Sequence, residues 1–248
     1  MTIQIEYTKS HYWLKPVGEN ILDPFSKSNR EKLKSTLKRY EEEKITHTIE
    51  PVSDELLDWF EPLYTETLLK KDNPDIHDIR SNVTSSDINY YSLTLKHNNK
   101  NIGATIFSIK NWYLSIAHRV YPNFWPDGVK LRSNPSLLTE YFLAEYAKEK
   151  GIKFISHGKD RNPHGPNSYI GLASYKLAVG CRIFINSREE EFFTLDQSEI
   201  KTDTLVLHRP KEKIRITDAT LFTSEENLDR YTQVTKFPDL LKVNVITI

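Results

Sequence analysis

The stretch from Asn134 to Ile155 restricts the fold of this chain more than any other. Asn134-Pro135 reads as a helix start, with asparagine as the cap and proline at the first helical position, where its missing N–H costs nothing. Leu137, Leu138, Tyr141, Phe142, Leu143, Ala144, Tyr146 and Ala147 cover most of the circumference up to Lys150, so burial on more than one side is expected. Gly151 stops the helix, and residues 152–155 (IKFI) follow at once as a short strand. A helix and a strand joined by two or three residues mark an αβ unit whose strand has a parallel neighbour.

Periodicity supplies the elements around this unit. Residues 45–50 (ITHTIE) alternate as a half-buried strand, and Ser53 then caps a helix with Asp54 and Glu55 in its first turn. Leu56, Leu57, Phe60, Leu63, Tyr64 and Leu68 keep i, i+3, i+4 spacing, the clearest amphipathic pattern in the chain. Residues 90–96 and 102–109 read as a hairpin through an Asn-rich turn at 97–101, with 112–120 as a third strand of the meander. Pro122, Pro126 and Gly128 make 121–133 a loop. A second loop at 156–166 leads to a helix at 168–179, Gly180 and a strand at 182–186. The order is βα, βββ, αβ, αβ, an α/β (α+β) class with one mixed sheet flanked by helices. Three regions are expected: an N-terminal helical arm (1–44), the α/β core (45–186) and a β-rich extension (187–248) with strands near 205–207, 214–216 and 243–248 and a short helix near 224–231.

The arm carries the strongest local charge asymmetry. Lys27, Arg30, Lys32, Lys34, Lys38 and Arg39 face a single Glu31, while Leu33, Leu37 and Tyr40 form a narrow apolar stripe. Such a face is either plainly solvated or a contact surface for an anion or RNA. Over the whole chain, 34 basic and 34 acidic side chains balance. A single cysteine, Cys181, excludes a disulfide framework and multi-cysteine metal clusters, and it reads as a small core residue. No run of about 18 apolar residues and no secretory leader pattern occur, so a cytoplasmic protein is expected. No phosphate-binding P-loop, HExxH helix or GxSxG elbow is present, and His157 and His164 lack metal-ligand spacing. No metal is expected.

The order of elements over about 45–186 resembles the GNAT acyltransferase fold. Within it, Glu149-Lys150-Gly151-Ile152-Lys153-Phe154, then Gly158-Lys159-Asp160-Arg161, then Gly171 to Gly180 with Tyr175-Lys176, are similar to Fem-type peptidyltransferases. The resemblance implies a mixed sheet splayed between two central parallel strands, and N-acyl transfer to the primary amine of a small molecule, amino sugar or peptide. An acyl-CoA, acetyl-CoA first, is the donor expected of a stand-alone member. The alternatives are aminoacyl-tRNA, engaged through the basic helix Lys27 to Arg39, or a binding module without catalysis. By the same resemblance Arg132, Ser133, Asn134 and Ser136 stand where a GNAT enzyme cradles pyrophosphate on helix N–H groups. Pro135 and Leu137 occupy the positions of the family's small residues and remove or crowd that cradle.

Lys176, four residues before Gly180, follows the Fem pattern rather than the tyrosine of ordinary GNAT enzymes. It is expected either to neutralise an oxyanion or to be a surface lysine. Tyr175 is a leaving-group acid or a packing residue. His157 and Asp160, just after the parallel strand, are candidates for base and amine-orienting group. His118 and Arg119, at the end of the third meander strand, and Arg161 are candidate substrate-binding residues.

Overall fold

A computed structural model describes residues 4–8, 10–70, 76–85, 87–161, 170–185, 192–200, 203–210 and 214–248. In chain order the elements begin with β1 (Gln4–Thr8), β2 (Ser10–Pro16), α1 (Lys27–Leu37), β3 (Ile45–Pro51), α2 (Asp54–Leu69) and α3 (Ile79–Thr84). They continue with β4 (Tyr90–His97), β5 (Lys100–Lys110), β6 (Tyr113–Val120), α4 (Pro135–Glu149), β7 (Phe154–Arg161), α5 (Ile170–Ala178) and β8 (Arg182–Ile185). The last are β9 (Phe192–Asp196), β10 (Thr204–Leu207), β11 (Arg215–Ile216), β12 (Asp218–Thr223), α6 (Leu228–Tyr231) and β13 (Lys242–Thr247). Mixed sheets and flanking helices make this an α/β protein. The chain divides into two compact units, Val17–Ser156 and Met1–Pro16 with His157–Ile248.

In the unit Val17–Ser156, β3, β4, β5 and β6 form an antiparallel meander, and β6 pairs in parallel with β7. α2 is capped as expected, the Ser53 hydroxyl accepting the Leu56 N–H. Its Leu57, Phe60, Tyr64 and Leu68 pack on Ala104, Ile106 and Val120 of the sheet. Each such fully buried side chain contributes about 1.5–3 kcal/mol of transfer free energy. Alternation along β5 sends the neighbouring Phe107 to the opposite face, where it meets Tyr146 of α4 edge-on at 5.7 Å. α4 buries nine of its residues, Glu140 among them. The sheet therefore has a helix on each face, and the near-complete apolar belt of α4 follows from that place.

The other unit holds three small β groupings: β1 with β9, β2 with β8 and β11, and β10 with β12 and β13. Ile5, Leu195, Ile200, Val206 and Phe222 close one of its cores. β12 runs parallel to β13 and antiparallel to β10, so its residues Ala219 to Thr223 are all buried.

Several expectations are corrected. The first 44 residues hold the basic helix, α1, but also β1 and β2, which pair with β9 and β8. The loop expected from Ser156 is strand as far as Arg161; Gly158, at φ 91°, bends the strand without ending it. The hairpin turn is tighter than 97–101: only Asn98 and Asn99 turn, both at positive φ, with a register shift between Leu95 and Lys96.

Candidate functional site

Parallel pairing of β6 with β7 covers only Tyr113, Leu114 and Ser115 against Phe154, Ile155 and Ser156. β6 then runs on through Ile116–Val120 with a bulge against β5 between Ile106 and Phe107, and Ala117 is exposed. The expected substrate residues His118 and Arg119 lie on this extension. His118 packs edge-on against Tyr64 at 5.5 Å and lies 6.0 Å from His77. Burial, helped by His77, pushes its pKa down to about 4, so the ring is neutral at physiological pH.

Arg119 takes a different course. Its Nη2 meets Glu140 Oε1 at 2.6 Å, with Glu140 fully buried and Arg119 about one-fifth exposed. Beside this pair the Tyr121 hydroxyl and Thr105 Oγ1 are 2.8 Å apart, and burial raises the Tyr121 pKa to about 12. That phenol stays protonated and serves as structure.

The start of α4 carries Arg132, Ser133, Asn134 and Ser136. Arg132 is exposed and Ser133 buried. Asn134 Oδ1 accepts the Leu137 N–H at 2.8 Å and the Ser136 hydroxyl at 3.1 Å, and the Leu138 N–H goes to the Asn134 carbonyl. The Ser133 N–H donates to Thr36 Oγ1 of α1 at 3.0 Å, and its carbonyl accepts the Trp125 indole N–H. Pro135 has no N–H to give. The helix end that a pyrophosphate would use is thus capped by the chain's own groups.

Lys176 lies in the other unit and is not a surface lysine. It is 4% exposed, in the last turn of α5, and its Nζ lies 5.2 Å from the centroid of the Trp13 ring. Gly180, at φ 93°, and Cys181 turn the chain into β8; the Cys181 N–H returns to the Lys176 carbonyl at 2.9 Å, and Cys181 is buried. Trp13 sits opposite Ile183 in the β2–β8 register, which is how the ring reaches α5. His11, Trp13 and Lys15 form the buried side of β2, at 3%, 1% and 0% exposure. Tyr175 and His157 are half-buried, the latter on β7 rather than in a loop. Asp160 and Arg161 end β7, but their side chains lie outside the described residues, as does His164.

Sequence reasoning missed Trp13, Lys15 and Glu140. β2 offers no simple polar–apolar alternation, because the side that carries Trp13 also carries His11 and Lys15. Glu140 offered no signal, since it interrupts an otherwise apolar helix like any solvent-facing glutamate.

No family model and no curated protein matches the chain. Among solved structures it is similar to FemX, at TM-score 0.53 and 15% identity, over 74% of this chain and 61% of that one. The fold is GNAT-like and close to the Fem type. A weaker likeness, at TM-score 0.44 and 18% identity, is to L-PGS from Bacillus licheniformis, over 67% of this chain and 49% of that one. A GCN5-related N-acetyltransferase from Anabaena variabilis gives TM-score 0.36 at 18% identity, over 64% and 34%. The chain thus spans less than two thirds of FemX and about half of L-PGS. Among the described residues, no helix is long and apolar enough to cross a membrane.

Proposed function

We propose that the protein is a Fem-like N-acyltransferase that moves an aminoacyl group from an aminoacyl-tRNA to a primary amine. The burial of Lys176, four residues before Gly180 where the Fem pattern puts a lysine, carries this reading. The amine nitrogen attacks the ester carbonyl, the bond from that carbonyl to the ribose oxygen breaks, and an amide forms. The amine gives up a proton and the ribose oxygen gains one. Lys176, as an ammonium in a largely dry position, stabilises the oxyanion between these steps. His157, in the same unit, is the candidate base for the amine proton.

Two further observations favour aminoacyl-tRNA over acetyl-CoA, the donor expected first. The start of α4 has its own caps where pyrophosphate would bind. The outer side of α1 presents Lys27, Lys32 and Lys34 to solvent, with Lys38 exposed just after it, a charge pattern suited to a phosphate backbone.

The test is transfer of a labelled amino acid from charged tRNA to a panel of primary amines, beside an acetyl-CoA reaction. Transfer from tRNA that weakens steeply with added salt, with kcat falling about 100-fold in Lys176→Ala, is expected. Saturable acetylation from acetyl-CoA with no use of charged tRNA overturns the reading.

A further inference from the structure

We propose that Trp13 is the positioning residue of Lys176, its ring face holding the ammonium in the orientation and charge state that transfer requires. The proposal rests on the reading of Lys176 given above and extends it to a residue outside the motif.

Lys176 is almost wholly buried, and a desolvated ammonium needs compensation from whatever surrounds it. One surrounding surface is the Trp13 ring, 5.2 Å from Nζ, and Trp13 is itself 1% exposed, so the contact is a dry one. Tryptophan has the strongest face for a cation, and the attraction grows on loss of water. This contact also takes none of the three ammonium N–H donors, which an ion pair with a carboxylate would do. A ring face therefore adds to the stabilisation of an ammonium without competing for its donors.

The backbone makes the arrangement rigid. Trp13 lies on β2 opposite Ile183 of β8, and β8 is reached from α5 through Gly180 and Cys181, whose N–H groups close back on Leu177 and Lys176. The ring and the lysine are thus tied through one short path of hydrogen-bonded backbone. His11 meets the Trp13 ring edge-on at 5.7 Å, which fixes its tilt. The indole N–H has no acceptor among the described residues, so the face of the ring, and not a hydrogen bond, defines the contact. Lys15 is buried on the same side of β2 two residues further on.

Trp13→Phe keeps a ring and loses the indole N–H, whereas Trp13→Leu loses the ring. In the transfer assay Trp13→Leu is expected to lower kcat about tenfold or more with KM within about twofold, while Trp13→Phe stays within about threefold of the parent. A second readout does not depend on activity: the rate at which acetic anhydride modifies Lys176, followed by peptide mass, rises several-fold in Trp13→Leu and not in Trp13→Phe. If Trp13→Leu fails to fold, Trp13→Met fills the volume without a π face and carries the same expectations. Unchanged Lys176 labelling in the ringless variant overturns the positioning role, as does a Trp13→Phe loss equal to that of Trp13→Leu. Lys176→Ala with undiminished transfer instead overturns the catalytic reading, and labelling that still responds to Trp13 separates that failure from this one.

Discussion

The two units treat buried charge in different ways. In Val17–Ser156, Glu140 is fully buried and meets the Arg119 guanidinium at 2.6 Å, an ion pair between α4 and β6. In the other unit, Lys176 lies over an aromatic ring. A carboxylate meets a guanidinium charge against charge; a ring face meets an ammonium through the ring's quadrupole. The first arrangement suits a fixed joint between helix and sheet. The second is the setting in which we propose that Lys176 acts. Of the residues nominated from sequence as site residues, Ser133 and Asn134 bond to α1 and to the first turn of α4, and Lys176 lies buried over Trp13.

The sharpest way to break this contrast is to unpair the joint. Glu140→Ala leaves the partly buried Arg119 without that carboxylate and is expected to cost about 3 kcal/mol of unfolding free energy, read by urea denaturation. A loss under about 0.5 kcal/mol would show that Arg119 is readily solvated, and the pair would cease to be architectural. Next in size is Gly103→Ala. A Cβ there would lie 2.2 Å from Tyr121 Cδ1 and 3.1 Å from the Val120 carbonyl oxygen, and the Tyr121 ring is held at its hydroxyl beside Thr105. About 1–3 kcal/mol of overpacking is expected. Thr105→Val, which frees the hydroxyl, should reduce that cost if the ring can then yield.

Much of the larger unit was legible because its elements follow simple periods. α2 and α4 show their caps and stripes, and the three meander strands alternate between turn signals. β2 was invisible for a physical reason: its buried side is His11, Trp13 and Lys15 and its half-buried side Tyr12 and Leu14, so polarity inverts the usual pattern. β7 was cut short because Gly158 and the charged Lys159-Asp160-Arg161 read as a loop, although a glycine at positive φ within a strand is a bend. β12 is buried along its length between two neighbours, so it shows no alternation to detect. The partnership of Lys176 with Trp13 joins residues 163 positions apart, a closeness that only strand pairing creates.

A gentler perturbation is pH. His118 is held near 4 in the folded state, against 6.5 for an exposed histidine, and burial also lowers His47, which stacks on Phe142 at 3.7 Å. A histidine depressed on folding is neutral in both states above about pH 6.5; below it the unfolded chain takes up the proton first. Stability contributed by His118 is therefore complete above 6.5 and is lost as pH falls toward 4. Thermal melts of the parent and of His118→Gln should converge across that window, and parallel curves would show that the ring is solvated. The outcome also bears on chemistry, since an imidazole whose conjugate acid titrates near 4 is a weak base at pH 7.

The smallest expected effect decides the most about the donor. Asn134→Ala removes the side chain that accepts the Leu137 N–H and the Ser136 hydroxyl, and loss of such a cap costs about 1 kcal/mol. The same change uncovers an N–H at the positive end of α4, the group that a GNAT enzyme would offer to pyrophosphate. If the cap is architecture, as the Glu140 pair is, Tm falls by a few degrees and the KM for charged tRNA stays within about twofold. A donor KM that shifts tenfold in either direction would place the donor at α4, and the contrast between the two units would then lie in their substrates rather than in their roles.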